Sequence, residues 1–171
     1  MLNQCGDISW SKSNTGVNDG ASITFQKAKQ YCFLLLKFRM RSVKEIFERL
    51  RSKKFDDEVI GRTISFLKQK KLLDDEAFAR AWIESRISKP LGFARLKREL
   101  IAKGIDVKII DKTIAELKNN YSEEAVVLEL AKERLAKSHD ADPAKAKKRL
   151  YGYLLRRGFS PGIVIEVLEG L

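Results

Sequence analysis

The chain has 171 residues, 44% of them apolar and 33% charged, and a formal net charge of +11. That length suits one domain or a few small units, and the charge excess points to an anionic partner: nucleic acid, an acidic protein surface or a membrane face. The membrane is the weakest of the three, because the most apolar run, residues 31–38, already contains Lys37, and a span needs about 20 apolar residues.

No signal-peptide pattern opens the chain. The two cysteines, Cys5 and Cys32, make neither a disulfide framework nor a CxxC zinc motif. A reduced, cytoplasmic setting is therefore expected. Residues 1–25 are rich in Asn, Ser, Gly and Thr without a helical period and read as a mobile tail, with Trp10 as the one residue there that could dock.

From Gln26 onward the chain is almost all helix former, and it repeats. Residues 50–67, 100–117 and 154–171 align without gaps. Leu50, Leu100 and Leu154 coincide, as do Phe55, Ile105 and Phe159. The next stripe recurs as Val59, Ile60, Ile64 and Leu67, then Ile109, Ile110, Ile114 and Leu117, then Ile163, Val164, Leu168 and Leu171. That spacing is one buried helix face. Gly104 and Gly158 fall just past a helix end, where a left-handed residue is wanted. Asp106 and Ser160 follow as N-caps, with Pro161 at a first helical position. Lys54 stands where the first repeat should have its glycine. Lysine tolerates the left-handed conformation poorly, so a looser or differently shaped turn is expected there.

A further helix precedes each pair. Tyr31, Leu35, Leu36 and Arg39 align with Phe78, Trp82, Ile83 and Arg86, and with Val126, Leu130, Ala131 and Arg134. The expected fold is all-α: tandem three-helix repeats in an elongated, curved array, with a tail over 1–25 and repeats over 26–73, 74–120 and 121–171. Phe78, Trp82, Phe93, Tyr151 and Phe159 occupy core positions. Trp82→Ala is expected to cost about 3–5 kcal/mol through a cavity.

Asp74 and Asp75 could be a carboxylate pair for chemistry, but they fall at the start of a first helix, as Ser122, Glu123 and Glu124 do in the third repeat. Acids there accept from free backbone N–H groups and meet the positive helix end, so capping is the reading. The sole histidine, His139, lies in a polar linker. With no nucleophile–base set, no phosphate loop and no metal-ligand spacing, the chain reads as a non-enzyme without cofactor or metal.

The second helix of each repeat is basic: Arg41, Lys44, Arg49 and Arg51; Arg95, Lys97 and Arg98; Lys145, Lys147, Lys148 and Arg149, followed by Arg156 and Arg157. Stacked units turn this face into a stripe, which suits a polyanion with its own repeat. Charge is uneven, at +9 for residues 26–73, +2 for 74–120 and +1 for 121–171. The first repeat should therefore dominate long-range attraction to phosphate.

The pattern resembles the RecX family, bacterial regulators of the RecA recombinase. Asp74, Asp75, Phe78 and Ala79 match the family's Asp-Asp-x-x-Phe-Ala motif. Arg86, residues 99–105 (ELIAKGI) and residues 39–50 (RMRSVKEIFERL) look like the family's. The likeness covers about residues 27–171, and its motifs are specific in their order and spacing. Two departures stand out: the glycine often found before Asp-Asp is absent from KKLLDD, and Lys54 replaces a turn glycine. The resemblance implies a protein that binds along the groove of a RecA–DNA filament and restrains recombinase, ATPase and coprotease activity in DNA repair and the SOS response. It adds Arg39 and Arg86 to the expected filament and DNA contacts. Single- and double-stranded DNA would be weak, salt-sensitive partners, and a monomer is the default. The rival readings are a sequence-independent DNA-binding protein and a helical adaptor for an acidic protein.

Overall fold

The computed structural model describes residues 19–137 and 142–171. Cys5, Trp10 and His139 lie outside them, so the expectations on those residues have no structural counterpart. Among the described residues all regular structure is helical, in the order α1 (Asp19–Phe38), α2 (Val43–Ser52), α3 (Asp57–Gln69), α4 (Asp75–Ile87), α5 (Phe93–Ala102), α6 (Val107–Lys118), α7 (Glu123–Ala136), α8 (Pro143–Arg157) and α9 (Pro161–Glu169). None of these helices is long and apolar enough to cross a membrane.

The helices fall into three triplets, and each triplet owns a core. The first buries Ala28, Cys32, Ile46, Leu50, Ile60, Leu67 and Leu73. The second is built on Phe78, Ile83, Leu96, Leu100, Ile105 and Ile110. The third is built on Val127, Leu150, Leu154, Phe159, Val164 and Leu168. Each cluster draws on one repeat alone, so the apolar stripes do their packing locally. Thr63 and Thr113, at equivalent positions of α3 and α6, are buried with their hydroxyls donating to the carbonyls of Val59 and Ile109 at 2.7 and 2.8 Å. Each hydroxyl is thereby satisfied inside a dry core.

Four expectations need correction. The first concerns the tail, expected through residue 25. Instead α1 begins at Asp19. Thr24 donates back to Gly20 O at 2.8 Å, and the Phe25 ring meets Phe66 edge-on at 6.2 Å. A tertiary contact thus extends a helix into a stretch of weak helix formers.

The second concerns the Lys54 turn, which has the same shape as its sisters. Lys54 takes φ +61°, beside +78° at Gly104 and +89° at Gly158. The closing bonds match: Phe55 N to Leu50 O at 3.3 Å, Ile105 N to Leu100 O at 3.1 Å, and Phe159 N to Leu154 O at 3.3 Å. Packing of Phe55 against the first core imposes the turn on a residue that resists it. Lys71, just before the Asp-Asp pair, also takes a left-handed φ, +54°, which is the geometry a glycine would relieve.

The third concerns the aromatics. Phe78 and Phe159 are core residues at 3% and 2% exposure, whereas Trp82, Phe93 and Tyr151 are half-buried. Trp82 stacks on Phe78 at 5.8 Å but keeps its edge toward polar groups. Its truncation should therefore cost less than the about 3–5 kcal/mol of a fully buried ring.

The fourth concerns Asp75, which serves the start of α2 rather than its own helix, as described below. The Lys54 strain yields a direct test. Left-handed geometry costs a residue with a Cβ about 1–2 kcal/mol, partly offset by the extra unfolded-state freedom of glycine. Lys54→Gly should raise stability by about 0.5–1 kcal/mol, read as a higher urea midpoint at unchanged slope.

Candidate functional site

The repeats meet through helix ends. A helix leaves free N–H groups at its start and free carbonyls at its end, and each repeat settles some of these on its neighbour. At the first junction the last turn of α5 meets the start of α2. Ser42, the N-cap of α2, accepts from Glu45 N at 3.2 Å and donates to Lys103 O at 2.7 Å. Lys44 Nζ donates to Ala102 O at 3.3 Å. At the second junction the end of α8 meets the start of α5. Gly92 N donates to Arg157 O at 3.0 Å, and Ala94 N to Gly158 O at 3.2 Å. Here the backbones touch directly: a Cβ on Gly92 would lie 2.1 Å from Gly158 O. A serine side chain mediates the first junction; the absence of any side chain permits the second.

The first helix of each later repeat adds a carboxylate. Asp74 is the cap of α4, accepting from Glu76 N at 2.8 Å and Ala77 N at 3.1 Å. Asp75 turns away and accepts from Val43 N, the first residue of α2, at 2.9 Å. Glu123 does the same for Phe93 N, the first residue of α5, at 2.5 Å. Burial pushes both carboxyls above their ordinary range, against the opposing pull of the backbone donor and of Lys68 and Lys118 respectively. The recurrence of an acid at this repeat position was the available sequence signal; capping explained it too readily.

These contacts bring α2, α5 and α8 end to end, so the basic second helices form one row. The expected contact residues divide along it. Arg49 and Arg51 stand exposed on α2. Arg41 is half-buried beside Leu35 O, and desolvation, then repulsion from Arg39, lowers its pKa. Several have partners within the chain: at the surface Lys97 pairs with Asp111 at 2.6 Å and Lys145 with the Asp142 cap at 3.7 Å, and Lys147 donates to Leu168 O at the end of α9 at 2.9 Å. Lys148 and Arg149 are exposed on α8.

The remaining cations gather at the two junctions. At the first, Glu45 sits 13% exposed between Arg39, which grips both its oxygens at 2.9 and 3.0 Å, and Lys103 at 2.6 Å. Burial alone would raise this carboxyl, but the hydrogen bonds from Arg39 and Lys103 hold it at about 2. At the second, Arg86, Lys89, Arg95 and Arg157 line one cleft, and Arg95, Arg98 and Arg156 an adjoining one. Arg157 Nη1 donates to Pro90 O at 3.1 Å. Glu99 is the acid here; it accepts from Trp82 Nε1 at 3.1 Å and Arg95 Nε at 3.2 Å, with Arg86 Nε 3.3 Å away. Glu45, Asp75, Glu99, Lys103 and Glu123 were not among the expected site residues.

Comparison with known proteins completes the picture. Models of the RecX first, second and third three-helix domains match residues 28–67, 74–114 and 122–168. This chain belongs to the RecX family. A regulatory protein RecX from Amycolatopsis mediterranei is 34% identical over 146 residues, covering 85% of this chain and 83% of that one. One from Clostridium acetobutylicum is 34% identical over 145 residues, covering 83% and 67%. The crystal structure of RecX from Lactobacillus salivarius superposes with a TM-score of 0.78 at 22% identity, over 88% of this chain and 97% of that one. The RecX fold is therefore shared, and relatives of this chain are regulatory proteins.

The junction carboxylates carry a prediction. Asp75→Ala leaves the Val43 N–H without its acceptor and should cost about 1–3 kcal/mol, while Asp75→Asn keeps an acceptor and should cost less. The raised folded-state pKa means the proton binds the folded form more tightly. Its stabilisation is full below the unfolded carboxylate pKa and is lost as pH rises through the folded value. Urea titrations across the carboxylate range should show wild type losing stability relative to Asp75→Asn as pH rises.

Proposed function

We propose that this chain binds along the groove of a RecA–DNA filament and restrains its recombinase, ATPase and coprotease activities, without chemistry of its own. The observation that carries the reading is the end-to-end row of α2, α5 and α8. It presents Arg49, Arg51, Arg95, Arg98, Lys148 and Arg156 along one line of helices. A repeating line of cations suits a partner whose negative charge also repeats. Membership of a family of regulatory proteins supports the same reading. The first repeat, with +9 of the charge, would steer the encounter, and the later repeats, with acids and bases interleaved, would face the recombinase as well as its DNA.

Two measurements test this. DNA-dependent ATP hydrolysis by the cognate recombinase is followed while this protein is added at sub-stoichiometric ratios, at a salt concentration where it does not bind bare DNA. Inhibition is expected. No effect, alongside clear DNA binding at lower salt, would make the protein a general DNA binder. Reversing Arg49 and Arg51 to Glu should lower DNA affinity and flatten the dependence of log affinity on log salt by about 1–2; an unchanged slope would remove the first repeat from the contact surface.

A further inference from the structure

The two junctions are built on one frame with charge reversed at two positions one helical turn apart, Glu45 against Arg95 and Arg49 against Glu99. In the gapless alignment Glu45 of the first repeat corresponds to Arg95 of the second, and Lys103 of the second to Arg157 of the third. Arg39 and Arg86 close equivalent first helices. At the first junction a carboxylate, Glu45, fills the space between Arg39 and Lys103. At the second junction the same position supplies a third guanidinium, and Arg86, Arg95 and Arg157 line an open cleft with Lys89.

One acid is present: Glu99, one turn further along α5, lies in ion-pair contact with Arg86 at 3.3 Å and Arg95 at 3.2 Å and accepts from Trp82 Nε1, so a single carboxylate serves a cleft of four cations. Among the described residues, no carboxylate lies within ion-pair distance of Lys89, Arg98, Arg156 or Arg157. Arg86 Nε is buried and makes no hydrogen bond, despite the nearby Glu99. The Arg157 fork is oriented by Pro90 O. Like charges lining one cleft repel, and an added anion relieves that repulsion.

We infer that the cleft between the second and third repeats is a phosphate-binding site for a nucleic-acid backbone, in which one phosphodiester takes the place that the Glu45 carboxylate occupies at the first junction. Arginine forks match two phosphate oxygens at once. The adjoining depression, lined by Arg95, Arg98 and Arg156 together with the paired Glu99, continues the track toward the next phosphate. The proposal rests on the reading that the partner contains nucleic acid, and it names where that nucleic acid is gripped.

Arg95→Glu is the deciding variant, because it places at the second junction a carboxylate at the position of Glu45; it also breaks the Arg95–Glu99 pair, which Arg95→Gln does without adding a negative charge. The full chain is titrated into a fluorescent oligo(dT) over a series of salt concentrations. Arg95→Glu should weaken binding about tenfold at low salt and flatten the log–log salt slope by about 1. Lys132→Glu, an exposed position on α7 with the same change in net charge, should give a much smaller loss. Equal losses for the two variants would mean that net charge alone matters and would overturn the site. If Arg95→Glu unfolds early, Arg95→Gln, which keeps the bulk without the charge, is held to the same slope criterion. An unchanged oligo(dT) slope with lost inhibition of the recombinase would assign the cleft to a protein carboxylate and overturn the phosphate. A flattened slope in a protein whose wild type never affects the recombinase would sink the filament reading and leave the phosphate site standing.

Discussion

Helix ends hold this molecule together between its repeats. A helix cannot satisfy its own first N–H groups or last carbonyls, and each three-helix unit builds its core from its own residues. The first free donors of α2 and α5 therefore go to Asp75 and Glu123 of the following repeat. The last carbonyls of α5 and α8 accept from the preceding repeat's cap region. Cores inside the repeats are dry and local; joints between them are short, polar and directional. The charges agree with this arrangement, since the negative end of one second helix faces the positive end of the next.

Because a few hydrogen bonds define each joint, small side-chain choices there set the character of the surface. Ser42 and Gly92 stand at the same repeat position, one spacing the helices and the other letting backbones touch. Glu45 and Arg95 do likewise, one placing a carboxylate between two cations of its joint and the other adding a guanidinium to its own. Repetition thus provides a frame that folds the same way each time, and single departures from the repeat write function onto it.

Much of the frame was readable from the residues. Gapless repeats, apolar stripes of helical period and glycines past helix ends are local features, and local features survive translation into structure. The misreadings share a physical cause. Lys54 and Lys71 sit in left-handed turns their side chains resist, because core packing on either side outweighs a strain of order 1 kcal/mol. The tail shortens because Phe25 finds Phe66. Trp82 occupies a core position in the helical pattern, yet stays half-buried and shows its indole N–H to Glu99.

Periodicity and charge are carried by neighbours along the chain, so the residues alone establish the number of repeats, the helical class and the basic character of every second helix. Which of those cations find partners within the chain depends on the fold: Lys97 and Lys147 meet theirs 14 and 21 residues away. Arg86, Arg95 and Arg157 meet because the end of one repeat docks on the start of another. Distance through space, not along the chain, governs electrostatic attraction and repulsion, and that distance is set by the joints.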